Sequence, residues 1–322
     1  MTTKLGFIGF GIMGERLLRA GLDHQGIAIS GIFDPASSAA ERLKAIDPKL
    51  KAFGSAADVI AASDVLHIAS PPSSHLDYLA QCAAAGRAAL CEKPLATDVD
   101  AASNAVADLK AKGMRAAVNF PFASSLAVDV LKSWIAEGAV GTPERVDIVM
   151  AFKTWPRAWQ MDAVRWLDAT AEGGFLREVG SHFLFLSRRL VGSLQLESGA
   201  SSYPEAGKSE RRVSAKLTAG GLPVSVEGGV GTTGLDDHNT WTLTGSKGRI
   251  RLRDWSIAER EIDGRWQPPA DAMPNEKARP LVLSRQLDKV IEMTAGRQTG
   301  LASLDEALDV QRVVETILAN KA

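Results

Sequence analysis

The chain has 322 residues, more than the roughly 250–300 at which a single hydrophobic core stops growing, so two domains are expected. A formal net charge of -1, with 45% hydrophobic and 23% charged residues, describes an ordinary globular protein and excludes the electrostatic footprint of a nucleic-acid or anionic-lipid binder. Cys82 and Cys91 are the only cysteines and form no CxxC, which fits two small buried thiols in a reducing, cytoplasmic setting.

The opening MTTKLGFIGFGIMG lacks the small-residue site of an export signal. No apolar run reaches the ~20 residues of a membrane span, so a soluble, non-exported protein is expected. Six short apolar runs follow: KLGFIG (4–9), IAISGIF (27–33), KAF (51–53), VLHIAS (65–70), AALCE (88–92) and RAAVN (115–119). Segments with helical spacing separate them, for example Leu76, Leu79, Ala80 and Ala83. Apolar strands alternating with helices predict a doubly wound parallel sheet, a Rossmann domain over 1–121.

Beyond residue 140 the pattern changes. ERVDIVMAF (144–152), RRVSAKLTAG (211–220), WTLTG (241–245) and RIRLRDW (249–255) alternate with period two, which predicts an open, mostly antiparallel sheet. Six of seven tryptophans lie past residue 150, supporting a second, α+β domain over 122–300. SLDEALDVQRVVETILA (303–319) has a Ser cap and helical spacing, so 301–322 reads as a closing helix packing back on the first domain.

Gly9-Phe10-Gly11-Ile12-Met13-Gly14 matches G-x-G-x-x-G, follows a strand and opens a helix. Asp34 ends the next strand, where its carboxylate suits a ribose diol and opposes a 2′-phosphate. NAD is therefore expected over NADP, although Asp34 is equally placed to cap the following helix. Gly229 to Gly234 repeats the glycine pattern but opens no helix and reads as a loop between strands. Ser70-Pro71-Pro72, ahead of His75, falls at the same sheet edge, as does Glu92-Lys93-Pro94. A lysine beside an oxidised nicotinamide suits proton exchange with a substrate hydroxyl, and Glu92 is placed to hold Lys93 or a ribose. The X–Pro bond at Pro94 is of the kind that adopts cis at modest cost. A solvated strand end is the alternative for both charges. In EGGFLREVGSHF, Glu178 and His182 stand four apart, sharing a face if the segment is helical, with an i,i+4 surface pair as the alternative. Arg249, Arg251 and Arg253 alternate along one strand as a solvated face, and no grouping has metal-ligand spacing.

GFGIMG, the Ser-Pro-Pro loop with His75, and CEKPLA, in this register, resemble the Gfo/Idh/MocA oxidoreductases, the glucose-fructose oxidoreductase and inositol dehydrogenase group. The likeness continues through EGGFLREVGSHFLFL (172–186) and LTGSKGRIRL (243–252). It implies an NAD(P)-dependent dehydrogenase or reductase of sugars, polyols or related hydroxy compounds, with Lys93 contacting substrate and nicotinamide. His182 would serve as base or proton relay and Glu178 as its positioning partner. Arg165-Trp166 resembles a pocket-lining segment; Trp155, Trp159 and Asn119 are further candidates for substrate contact, with a place in the core as the alternative for the aromatics. The sheet domain would form the substrate floor and join copies into a homodimer or homotetramer. Two positions depart from the family pattern, Glu178 for the usual Asp and Phe185 for a second Asp. They motivate one rival function, a non-catalytic dinucleotide sensor; the other rival, an NAD-using glycosidase without net redox, is demanded by no motif.

Overall fold

A computed structural model describes residues 2–322. In chain order the elements are β1 (Thr3–Ile8), α1 (Ile12–Leu22), β2 (Ile27–Phe33), α2 (Ser38–Ile46), α3 (Ala56–Ala62), β3 (Val65–Ile68), α4 (His75–Ala84), β4 (Ala88–Cys91), α5 (Val99–Ala111) and β5 (Ala116–Val118). They continue as α6 (Leu126–Ala136), β6 (Pro143–Phe152), α7 (Val164–Leu167), α8 (Ser181–Leu190), β7 (Leu194–Ser202), β8 (Arg212–Ala219), β9 (Leu222–Val230) and β10 (Asp237–Gly245). The last are β11 (Gly248–Arg253), β12 (Ile257–Ile262), β13 (Arg265–Gln267), α9 (Asn275–Thr294) and α10 (Leu304–Ala319). No helix among the described residues is long and apolar enough to cross a membrane.

Two compact units result. The first contains the residues up to Ser124 together with Pro280–Leu308; the second contains Ser125–Arg279 and Asp309–Ala322. This division corrects the expected 122–300 and 301–322 segments, and side-chain packing gives the reason. Leu283, Leu287, Val290 and Met293 of α9 enter the same core as Leu5, Leu18 and Val65. Helix α10 is shared, its later half tied into the second unit by Arg188–Asp309 and Arg177–Glu315 ion pairs.

The first unit's sheet has the order β2-β1-β3-β4-β5, all pairs parallel. The expected third strand, KAF, is reduced to one parallel bridge between Ile32 and Ala52. Its extension stops because Ser55, two residues after Phe53, already caps α3 by accepting the Asp58 N–H. With Ala52 counted at the edge, the order is that of a doubly wound sheet whose direction reverses between β1 and β3. Cys82 and Cys91 are buried and free, and burial pushes the Cys82 thiol up to about 12.

The second unit's sheet has the order β13-β12-β11-β10-β6-β9-β8-β7, antiparallel throughout except for β6 beside β9. Val146, Ile148, Met150 and Phe152 are buried on one face, as their alternation predicts. On that face the Trp241 indole donates to Ser187 Oγ of α8 at 2.8 Å. The second glycine motif ends β9 and turns toward β10, opening no helix.

Candidate active site

The first unit aligns four strand ends. Ile8, Ile68, Cys91 and Val118 are paired across β1, β3, β4 and β5. One residue further, Ala69, Glu92 and Asn119 donate their N–H groups back to Ile8, Ile68 and Cys91. The glycine loop, Ser70 loop, Lys93 and Asn119 are thus set along one carboxyl-terminal edge, at the switch point where open parallel sheets bind ligands.

Local sterics shape the glycine loop. Gly9 has φ +91°, and a Cβ there would lie 2.5 Å from the Ser70 nitrogen; one on Gly14 would lie 2.4 Å from the Gly9 oxygen. A Cβ on Gly11 would meet nothing within 4 Å, so the loop is tight against its own protein and open outward over the start of α1. This fits a pyrophosphate, which needs close backbone approach and unpaired helix N–H groups. Phe10 itself is core, 0% exposed, so only its backbone belongs to the site. Asp34 accepts the Phe10 N–H at 2.6 Å with Oδ2 and the Ala36 N–H at 2.8 Å with Oδ1. One carboxylate therefore fixes both the glycine loop and the lead into α2, and a carboxylate retains further lone pairs for ribose hydroxyls. Arg42, absent from the sequence reading, hydrogen-bonds the Phe10 carbonyl, with its guanidinium 5.2 Å from the Phe10 ring centroid. Its sequence signal was only its place on α2.

Glu92 is buried, with Oε1 accepting the Asn119 Nδ2 donor at 2.6 Å and contacting His67 Nε2 at 3.1 Å. Gln286 of α9 donates in turn to Asn119 Oδ1. Burial alone would raise the Glu92 pKa, but the His67 bond and charge, Lys93 and Asn119 together hold it below the ordinary value. Asn119, expected to touch substrate, is 1% exposed, with both amide atoms engaged internally. His75, expected at the cofactor, is likewise 1% exposed. Its Nδ1 faces the Pro94 carbonyl and its Nε2 the Ser70 carbonyl, each at 2.8 Å, so it ties the two edge loops together. Burial lowers its pKa against the pull of those carbonyls. Pro72 is buried and Pro71 exposed beside Ser70, and Lys93–Pro94 is cis.

In the second unit, Glu178 belongs to a π-helical turn, Leu176–Gly180, that runs into α8 at Ser181. The wider turn replaces the simple α-helical spacing expected of Glu178 and His182, and such turns recur at functional sites. Gln160 donates to Glu178 Oε1 at 3.1 Å, and Arg157 Nη2 lies 3.8 Å from the same oxygen. Arg157 is buried, pairs with Asp237 at 2.8 Å, and places its guanidinium 4.8 Å over Trp159. Arg157 and Gln160 escaped the sequence reading, though the aromatic bracket WPRAW was a signal. His182 is 6% exposed, its ring edge-on to Trp255 at 5.3 Å, and the Trp255 indole reaches Asp237 at 3.3 Å. Asp254 and Trp255 both have positive φ, 46° and 73°, so the turn after β11 is strained to present that indole. Trp155 is core rather than a substrate platform: its Nε1 donates to the Leu167 carbonyl and its ring packs on Phe152 and Phe175. Arg165 is exposed and Trp166 half-buried on α7, and among the described residues neither side chain hydrogen-bonds to this cluster. Phe185 is buried, with the Arg189 guanidinium over its ring. No metal-holding group occurs among the described residues.

A doubly wound sheet with a glycine loop at its switch point and an acidic residue ending β2 defines a dinucleotide-binding protein. Residues 3–120 match the Gfo/Idh/MocA family, described as an oxidoreductase family with an NAD-binding Rossmann fold. Over 104 residues it is 36% identical to the rhizopine catabolism protein MocA of Rhizobium meliloti, covering 32% of each chain. Over 224 residues it is 29% identical to inositol 2-dehydrogenase 3 of Saccharopolyspora erythraea, covering 62% of this chain and 65% of the relative. These matches span less than two thirds of either relative. The fold extends further: a crystal structure of an oxidoreductase from Agrobacterium radiobacter, in complex with NAD+, L-tartaric acid and magnesium, superposes with TM-score 0.82 at 20% identity, covering 99% of this chain and 97% of that one.

Proposed function

We propose that this protein is an NAD-dependent oxidoreductase interconverting a secondary alcohol and a carbonyl on a sugar, polyol or related small hydroxy compound. The observation that carries this reading is the Glu92-Lys93 pair, one row past the aligned ends of β3 and β4, with Glu92 kept ionised behind Lys93. Relatives named inositol 2-dehydrogenase support the substrate class. When bound, NAD supplies the nicotinamide C4 that exchanges a hydride with the substrate carbon. Lys93 exchanges the hydroxyl proton at Nζ, His182 is the second proton-handling group, and Glu178, held by Gln160 and Arg157, orients substrate or imidazole. Asp34 holds the ribose diol and disfavours NADP. In this reading the enzyme works in the cytoplasm, with no nucleic-acid or membrane partner. It assembles as a homodimer or homotetramer through the second sheet, where half-buried Arg251 pairs with buried Glu259 and stacks 4.3 Å over Trp266. The test is a panel of sugars and polyols with NAD and NADP, followed by absorbance of the reduced nicotinamide. Reduction of NAD by at least one polyol is expected; cofactor binding with no turnover across the panel would overturn the assignment.

A further inference from the structure

The turn carrying Glu178 rests on a carboxylate that the proposed reaction does not use. Glu210, just ahead of β8, is 1% exposed. Its Oε1 accepts the Leu176 N–H at 2.7 Å, the first residue of the π-helical turn. Gly174, at φ +107°, makes this approach possible: a Cβ there would lie 2.1 Å from Glu210 Oε2. The preceding glycine is equally constrained, since a Cβ on Gly173 would lie 2.1 Å from the Leu167 carbonyl. The same carbonyl accepts the Gly174 N–H and the Trp155 indole. The EGGFL stretch is therefore folded around Glu210 below and Leu167 beside it.

Three other titratable groups bear on Glu210: Arg177, Arg211 and Tyr203. Both cations are already paired. Arg177 grips Glu315 through two bonds of 2.7 Å, and Arg211 grips Asp168 at 2.9 Å. Asp168 also takes Ser209 and Lys208. Glu210 is thus a buried carboxyl whose short bond is to a backbone N–H, with both neighbouring cations engaged elsewhere, in surroundings that favour neither charge state decisively.

We propose that Glu210 is a positioning residue for Glu178 and His182, gripping the Leu176 N–H firmly as a carboxylate and loosely once protonated, so that proton uptake slackens the turn that carries them. This rests on the reading of Glu178 and His182 as site residues. Burial pushes the Glu210 pKa up to about 7, which puts the exchange in the neutral range. A charged acceptor binds an N–H about twice as strongly as a neutral one, so a change of about fivefold in kcat/KM through this group is the scale expected.

The test needs no turnover to be decisive. In the wild-type protein, the Leu176 amide resonance should titrate with a midpoint near pH 7. Fluorescence of Trp155, whose ring packs on Phe175 next to Leu176, should follow the same midpoint. Glu210→Gln, which keeps the acceptor but cannot ionise, should abolish both transitions and flatten the matching limb of the kcat/KM profile. Trp155→Phe should remove the optical signal and leave the amide titration. A Leu176 amide that does not titrate, or a transition that survives in E210Q, overturns the proposal. A titrating Leu176 in a protein that oxidises no polyol would overturn the functional reading and leave Glu210's grip on the turn standing.

Discussion

Glu92 in the first unit and Glu210 in the second are the same side chain, both nearly inaccessible, yet their protonation is driven in opposite directions. Burial opposes charge at both positions. Glu92 wins back its charge from two side-chain partners, His67 and Asn119, and from Lys93 next in the chain. Glu210 is held by backbone N–H groups, while the arginines beside it are engaged with Glu315 and Asp168, and its pKa rises to about 7. Burial sets the cost of charge, and the uncommitted partners decide whether it is met. The Glu92 site is built to keep an ion, the Glu210 site to exchange a proton.

The largest effect expected lies next to Glu92. Lys93→Ala should lower kcat by about a thousandfold or more, on the scale of removing a proton-handling group, while NADH affinity measured by fluorescence stays within severalfold. An active K93A protein would make Glu92-Lys93 a mere strand end. Next comes His67→Leu, which removes a partner from a buried carboxylate and should cost about 3 kcal/mol in urea unfolding at neutral pH. The pH sign is set by the depressed Glu92 pKa: its stabilisation is present above the ordinary 4.5 and is lost as pH falls through the folded value. H67L should therefore move acid unfolding to higher pH.

The two regions also differ in how much of them the sequence discloses. The glycine loop, Asp34 and CEKPLA are consecutive or lie at strand ends, so period and topology alone bring them to one edge. The partners that tune them are remote: His67 to Glu92 spans 25 positions, Gln286 to Asn119 spans 167, and Glu210 to Leu176 spans 34. No pattern in one chain records such contacts, which is why His67 had no partner and Glu210 drew no attention. The inward packing of Asn119 and Trp155 is hidden for a related reason, since a polar or aromatic residue near a site looks the same whether it faces ligand or core. Alternation in β6, β8 and β10 marked the second sheet, but α9 looked like part of that domain because nothing local says which core its apolar stripe enters. The strained pair Asp254-Trp255 is invisible because neither residue type favours positive φ enough to announce it.

Glu210→Gln sharpens the contrast from the stability side. A raised carboxyl pKa contributes stability that is full below the unfolded value of 4.5 and lost as pH rises through about 7. Gln cannot ionise, so relative to wild type E210Q should gain stability across that window, by up to about 3 kcal/mol. Urea midpoints measured at pH 5 and pH 8 would read this, and a constant difference between the two proteins would put Glu210 in the same class as Glu92.

The smallest effect concerns a third carboxylate, half-buried at the end of β2. Asp34 divides its oxygens between the Phe10 and Ala36 N–H groups, so removing it loosens the loop as well as the ribose contact. Asp34→Ser leaves one hydroxyl where two acceptors stood, and NAD affinity should drop by about tenfold. NADP should lose less, because the repulsion of its 2′-phosphate disappears while Arg42 stays on the Phe10 carbonyl. The ratio of the two dissociation constants, measured by quenching titration, should therefore move toward NADP by up to about tenfold. Adding Arg42→Ala to D34S should reverse much of that shift if the guanidinium receives the phosphate. An unchanged ratio in the double variant would mean that Arg42 serves only to brace the glycine loop.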